Sequence, residues 1–496
     1  MLAENKASEL QRRQLQKPVP GVPRCKSAAP TRSNQRELVT RTRAFEPFAP
    51  RTLTIDELQH ALEEIVQATD AASVRAKGLC GYELGPVIGS GTFGKVRLAT
   101  HKASNQVVAI KSYERSRARD AHQWKRIQYE ARVMERLDHP CIIRLFEAIE
   151  DPSTLHLVME HVTSDVTNLC EYVKQQRRLK EADAGPLFAQ VLSALVYMHD
   201  RHWVHRDVKL ENVLLDKHGL VKLVDFGFSA LQTAKPFQTF CGTPCYMAPE
   251  IVQRKSYWGP PVDVWSLGIL LYAMLSGFFP FRARNYNDLY RKILRGAYEM
   301  PSTLSADAQE LLRGMLDADP TKRLTIMDVR AHPWVRRFAS PMQRPSAPLY
   351  RQISLGTLPP ALSKELRTSV LDAISALGLS RHDAEAALRE KRHNSLSTLY
   401  YLLLKRAESL CYVREAPPLV QSRPMTSPEG QHSLATQRVL IESLQESDDE
   451  TEINDMDRTP SSLVPSSPPE CDEGLANDDD MRDVLAILKQ TELHRR

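Results

Sequence analysis

Hydrophobic positions along the chain fall into runs of two different periods. Between residues 53 and 75, Leu58, Leu62 and Ile65 recur at helical steps. Thr54 stands where a helix needs a cap, and Glu57 three residues later closes a capping box. This predicts a helix with one apolar stripe, packed on the globular body that follows. Lys95-Val96-Arg97-Leu98-Ala99 alternates polar with apolar, as a strand does. Val108-Ala109-Ile110-Lys111 is a short apolar strand ending in a cation, and a helical run extends from about Ala121 to Leu137. The apolar run from Val264 to Leu275 covers 12 residues. That is too short to span a bilayer and reads as a buried core helix.

A second group of periodic segments lies at about 363–407. Leu366, Val370, Ile374 and Leu377 make one stripe, and Gly378 stands where a left-handed cap ends a helix. Ser380-x-x-Asp383 resembles a capping box for a second helix with Ala387 and Leu388. Leu396, Leu399, Tyr400 and Leu403 mark a third. Three short helices make a small core, so neighbours are expected to stabilise it. Residues 339–362 read as a Pro-rich linker. The segments 1–52 and 408–496 read as disordered tails, except for a short helix at 479–492 with Val484, Leu485 and Leu488 on one face.

Composition narrows the picture only modestly. The net charge of +5 over 496 residues gives no argument for nucleic-acid binding. The charge is uneven: residues 1–52 carry 11 Lys and Arg against 4 acids, and residues 442–480 carry 14 acids against one Arg. Such tails stay solvated, or touch each other or a partner. Eight cysteines are scattered without a paired C-x-x-C, which speaks against a zinc site and for a reducing compartment. The expected location is therefore cytoplasmic or nuclear. The sequence from Met1 to Lys6 has neither the apolar run of a signal peptide nor the glycine required for myristoylation, and no stretch is long enough for a membrane span.

The candidate chemistry lies in two acidic motifs in fixed order. The first is His205-Arg206-Asp207-Val208-Lys209-Leu210-Glu211-Asn212, and the second is Asp225-Phe226-Gly227. Phosphoryl transfer needs one carboxylate to orient the attacking hydroxyl and another to hold magnesium, and the amide of Asn212 suits a second metal contact. Upstream, Gly89-Ser90-Gly91-Thr92-Phe93-Gly94 lets backbone N–H groups approach phosphate. Alone, this pattern would equally mark a dinucleotide fold, but that fold wants a helix directly after the glycines, and a strand pattern follows here. Lys111 offers a compact cation for the α- and β-phosphates. Glu130, 19 residues later on the predicted helix, is the chosen partner for Lys111, with Glu135 as the competing acid.

With these motifs in order, residues 82–338 resemble a eukaryotic Ser/Thr protein kinase. The resemblance is strongest to the calcium/calmodulin-kinase-like group, in the branch of AMP-activated protein kinase and its relatives. Gly227-Phe228-Ser229 and Thr239-Phe240-Cys241-Gly242-Thr243-Pro244 carry the finer likeness. It implies an α+β, bilobal fold with a β-rich small lobe and a helical large lobe, a small three-helix domain and disordered tails. It implies ATP and Mg2+ as cofactors and protein Ser/Thr sites as substrates. Asp207, Lys209, Lys111 and Glu130 would be catalytic. The ATP site would be lined by Ile88, Gly89, Gly91, Gly94, Val96, Ala109, Lys111, Glu160, Val162 and Asn168, with Met159 as gatekeeper. Asn212 and Asp225 would bind metal, Thr243 would contact the catalytic loop, and Arg323 would pair with Glu250. Thr239, near Arg206, would be phosphorylated by an upstream activating kinase.

Two departures from the family pattern qualify this. After Glu160 the chain is about two residues longer than its relatives, and Asn168 stands where they carry a ribose-binding, arginine-recognising Glu. Preference for basic substrates is therefore expected to be weakened, with Glu211 as the remaining acid. The 363–407 unit resembles a ubiquitin-associated-like domain, but its first loop reads Leu377-Gly378-Leu379 and lacks the usual aromatic. This favours an intramolecular contact with the kinase domain over ubiquitin binding. The alternative function is a catalytically weak kinase-fold scaffold. Loss of Lys111, Asp207 or Asp225 would favour it, and Lys111, Glu130, Asp207, Asn212 and Asp225 are all present.

Overall fold

The Glu57 N–H donates to Thr54 Oγ1 at 3.3 Å and the Thr54 N–H donates to Glu57 Oε2 at 2.9 Å, so the expected capping box opens helix α1 (Ile55–Ala68). The structure, a computed structural model, describes residues 54–90, 94–118, 120–162, 168–216, 219–338 and 360–413. The expectations for Gly91 and its neighbours Thr92 and Phe93, for Ser164 to Thr167, for the tails and for the 479–492 helix lie outside those residues. The 53–75 segment is not one helix. It breaks after Ala68 because Asp70 caps a separate short helix α2 (Ala71–Arg75) by accepting the Ser73 N–H. The break is held by Thr69, whose hydroxyl lies 2.6 Å from the Ile65 carbonyl and 3.1 Å from that of Ala103.

Five antiparallel strands follow: β1 (Tyr82–Ser90), β2 (Gly94–His101), β3 (Gln106–Glu114), β4 (Leu145–Glu150) and β5 (Thr154–Glu160), in sheet order β1-β2-β3-β5-β4. Helix α3 (Ala121–Arg136) starts at Asp120, which accepts the Gln123 N–H at 2.7 Å. Register places Val96 opposite Lys111, and Ala109 between Leu98 and Met159.

The helical lobe begins with α4 (Leu169–Gln176) and α5 (Glu181–His199). Short paired strands follow: β6 (Trp203–Val204) with β9 (Ala230–Leu231), and β7 (Val213–Leu215) with β8 (Val221–Leu223). The lobe continues through α6 (Pro249–Val252), α7 (Gly259–Ser276), α8 (Tyr286–Arg295), α9 (Ala306–Met315), α10 (Ile326–Ala331) and α11 (Pro333–Phe338). As expected from its unbroken apolar run, α7 is buried throughout Val262–Leu275.

Three more helices, α12 (Pro360–Ala376), α13 (Arg381–Arg389) and α14 (Ser395–Val413), form a unit that begins and ends outside the expected 363–407 limits. Gly378 takes φ +80° and ends α12 as anticipated. The Ser380 side chain caps α13 through the Asp383 N–H. Leu396 is only half-buried, whereas Leu402 and Leu404 are enclosed.

The stripe on α1 does not pack mainly on the two-lobed body of residues 82–338. Leu58, Leu62 and Ile65 share one core with Leu366, Val370 and Ile374 of α12 and Leu399, Tyr400 and Leu403 of α14. Ala103 of the β2–β3 turn joins that core. Helix α1 thus completes a four-helix unit whose halves flank residues 82–338 in sequence. This unit docks on the small lobe: Leu402 packs with Tyr82, Val108, Ile110 and Phe146, and the Arg144 guanidinium lies 3.8 Å from the Tyr401 ring centre. The two ring nitrogens of His393 each lie 3.0 Å from a backbone carbonyl oxygen, one of Leu145 and one of Glu135.

Candidate active site

Lys111 on β3 is held by Glu130 on α3, with Nζ 2.9 Å from Oε1. Nζ also lies 3.5 Å from Asp225 Oδ1. Burial opposes the charge on Lys111, but Glu130, Tyr113 and Asp225 outweigh it and hold its pKa well above the ordinary lysine value. Glu135, the competing acid, contributes its backbone carbonyl to the His393 contact instead. Asp225 has φ +65°, a strained value for a residue other than glycine. Burial works against its ionisation too, yet Lys111, His205 and Lys209 keep its carboxyl below the usual range. Phe226 is buried beside His205, with ring centres 5.3 Å apart.

Asp207 sits in a closed ring of contacts. Its Oδ1 accepts the Thr243 N–H at 3.1 Å and the Thr243 hydroxyl at 2.8 Å. Lys209 Nζ lies 2.7 Å from Asp207 Oδ2 and 3.0 Å from Thr243 Oγ1. The Asn212 amide nitrogen donates to the Asp207 carbonyl at 2.9 Å and to Oδ2 at 3.1 Å. The aspartate, the lysine, the asparagine and the threonine picked out in the sequence, Asp207, Lys209, Asn212 and Thr243, are thus brought together.

Asp263 holds this loop in place, a role the sequence pattern did not suggest. It is fully buried at the start of α7 and accepts the backbone N–H groups of His205 at 2.9 Å and Arg206 at 2.8 Å. His199 Nε2 lies 2.8 Å from the same carboxylate. Arg206 has φ +62°, so the turn before Asp207 is strained and these bonds fix it. The signal available in the sequence was a lone acid opening an otherwise apolar helix, since a buried carboxylate needs donors.

The residues expected to line an ATP site are less fully brought together. Ile88 is exposed on β1, and Gly89 pairs with Val96. Gly94 has a packing reason of its own: a Cβ there would meet the Ser112 carbonyl at 2.6 Å. The Glu160 N–H is donated to the Arg144 carbonyl at 2.9 Å, and its carboxylate pairs with Lys222 of β8 at 3.0 Å. The Asn168 side chain caps α4 by accepting the Glu171 N–H at 3.0 Å, which commits its oxygen and leaves the amide N–H groups. Among the described residues no three His, Cys, Asp or Glu side chains cluster as a metal site. Asp225 and the Asn212 oxygen suit a small hard cation that completes its shell with phosphate and water.

Arg206 also faces the segment from Gly227 to Ala248, the expected activation segment. Its Nε donates to the Phe228 carbonyl at 2.8 Å, and its guanidinium lies 4.6 Å from the Phe237 ring centre. The Tyr257 hydroxyl joins it to Thr239, lying 3.5 Å from Arg206 Nη1 and donating to the Thr239 carbonyl at 2.9 Å.

The protein kinase domain model matches residues 82–335. The chain belongs to the protein kinase family. Three curated relatives sharpen the likeness. A SNF1-related protein kinase catalytic subunit alpha KIN12 of Arabidopsis thaliana is 38% identical over 328 residues, covering 66% of this chain and 64% of the relative. Serine/threonine-protein kinase SIK1 of Mus musculus is 35% identical over 354 residues, covering 71% and 44%. Serine/threonine protein kinase OSK3 of Oryza sativa subsp. indica is 38% identical over 333 residues, covering 66% and 63%. The kinase chain thus spans less than two thirds of the length of each of these relatives. Among its described residues no helix is long and apolar enough to cross a membrane.

Proposed function

We propose that the chain transfers the γ-phosphate of ATP to Ser or Thr hydroxyls of proteins. The observation that carries this reading is Lys111 engaged at once by Glu130 at 2.9 Å and Asp225 at 3.5 Å. This arrangement presents a cation beside the metal-holding carboxylate, where an NTP tail would lie. Asp207 orients the hydroxyl and accepts its proton as the new O–P bond forms and the bond to the β-phosphate oxygen breaks. Lys209, already on Asp207 and Thr243, faces charge developing on the transferred group. Mg2+ held by Asn212 and Asp225 would neutralise the phosphates. The backbone of Glu160 and Val162 would bond adenine.

Phosphorylation of Thr239 by an upstream kinase is proposed to switch the enzyme on, with Arg206 as the phosphate partner. The α12–α14 unit, ubiquitin-associated-like in sequence, is proposed to regulate the kinase in cis rather than to bind ubiquitin. Its contacts at Leu402, Tyr401 and His393 support this, as does α1 lying across α12 and α14. Substrates with basic residues fit Glu211, and less strongly Asn168.

The deciding experiment is Asp225→Asn in the full chain. Turnover with Mg-ATP and a Ser/Thr peptide should drop on the order of a thousandfold with the melting transition kept. Wild-type turnover by the variant would overturn the reading.

A further inference from the structure

Strand β3 sends alternate side chains to the same face, so Tyr113 projects beside Lys111. Tyr113 is 3% exposed, and its hydroxyl donates to Glu130 Oε2 at 2.6 Å. Lys111 occupies Oε1 at 2.9 Å, and its ammonium lies 5.2 Å from the Tyr113 ring centre. The Glu130 carboxylate is therefore gripped at both oxygens by one strand. Gly94 stands opposite Tyr113 in register, and a Cβ on it would come within 3.1 Å of Tyr113 Cδ1. Burial, then the neighbouring Glu130, push the phenol pKa up, so the hydroxyl remains a donor.

We propose that Tyr113 is a positioning residue for phosphoryl transfer, holding Glu130 and with it α3 where Lys111 can meet the phosphates. This rests on the kinase reading above. A lysine alone fixes one carboxylate oxygen and lets the group swivel about its terminal torsion. The second bond removes that freedom, and it is charge-assisted in a water-poor site. It also gives α3 a hold that does not pass through the activation segment. The segment has its own link to α3, where the Arg126 guanidinium lies 5.4 Å from the Phe228 ring centre. The two holds should therefore back each other up.

The test is Tyr113→Phe in the full chain, which keeps the ring and removes only the hydroxyl. Three quantities are measured: Mg-ATP affinity by calorimetry, kcat and KM for ATP before and after upstream phosphorylation, and the melting transition. The expected result is a loss in kcat/KM for ATP of about ten- to a hundredfold. The loss should be larger before phosphorylation than after, with weaker Mg-ATP binding and an unchanged melt. A double-mutant cycle with Glu130→Gln should show strong coupling. Unchanged ATP affinity and kinetics, a loss that merely tracks a lowered melt, or zero coupling would each overturn the proposal. A wild-type chain that transfers nothing, yet binds Mg-ATP in a Tyr113-dependent way, would sink the kinase reading and keep the clasp.

Discussion

Arg323 grips Glu250 with both arms of its guanidinium, Nη1 2.7 Å from Oε1 and Nη2 2.9 Å from Oε2, deep inside the helical lobe. The same guanidinium donates to the Pro261 carbonyl at 2.8 Å and lies 5.1 Å from the Trp265 ring centre. It thereby ties the end of the activation segment to α7. Glu250→Gln would leave a buried cation without its counter-charge. The expected cost is about 3–5 kcal/mol, read as a shift in the denaturant midpoint. A midpoint equal to that of wild type would show that the pair is dispensable.

Asp263 links stability to pH. Burial raises its pKa, but His199, His205 and the loop N–H groups outweigh this and hold it below the ordinary carboxylate value. The charged form therefore favours the native state above the unfolded pKa of about 4. That contribution is lost as pH falls through the lower folded value. Asp263→Asn should lower stability at neutral pH and flatten its fall in acid, and it should also lower kcat by loosening the loop before Asp207. Thermal melts from pH 3 to pH 7 would check this, and parallel curves for the two proteins would refute it.

Thr239→Ala should yield a folded protein that upstream phosphorylation no longer activates. The expected gap from phosphorylated wild type is about ten- to a hundredfold in kcat, the worth of one or two charge-assisted bonds. Equal activity after treatment with the activating kinase would place the switch elsewhere.

Leu62 on α1 is 2% exposed and faces α12 and α14. Leu62→Asp would bury a charge in that core at a cost of about 3 kcal/mol. Hydrogen exchange should rise across 360–413 and leave α7 to α11 protected. Equal loosening of α7 would mean that the four-helix unit and the helical lobe are one cooperative body.

The motif order, the strand carrying Lys111, the α3 helix, the buried α7 and the Gly378 cap were all legible along the chain. Each depends on local periodicity or on a residue type that one conformation demands. Tyr113 was legible in principle, as the second residue after Lys111 on a strand, but only Glu130 arriving from α3 makes its position meaningful. The capping role of Asn168 needed the start of α4. The break at Thr69 and Asp70 went unread because the apolar stripe ended before it, so nothing in the pattern marked the second cap.

The sequence by itself marked the candidate motif residues and the periods of most helices and strands. The tertiary structure decided which faces meet. An apolar stripe such as Leu58, Leu62 and Ile65 requires burial but is indifferent to its partner, because the hydrophobic effect has no direction. The partner of α1 therefore turned out to be α12 and α14, some 300 residues away in the chain. Hydrogen bonds do have direction. Directional and charged contacts fixed the rest: the strained turn at Arg206 is held by its N–H bond to Asp263, and Asp225, strained as well, is paired with Lys111 3.5 Å away, neither contact existing until distant elements have come together.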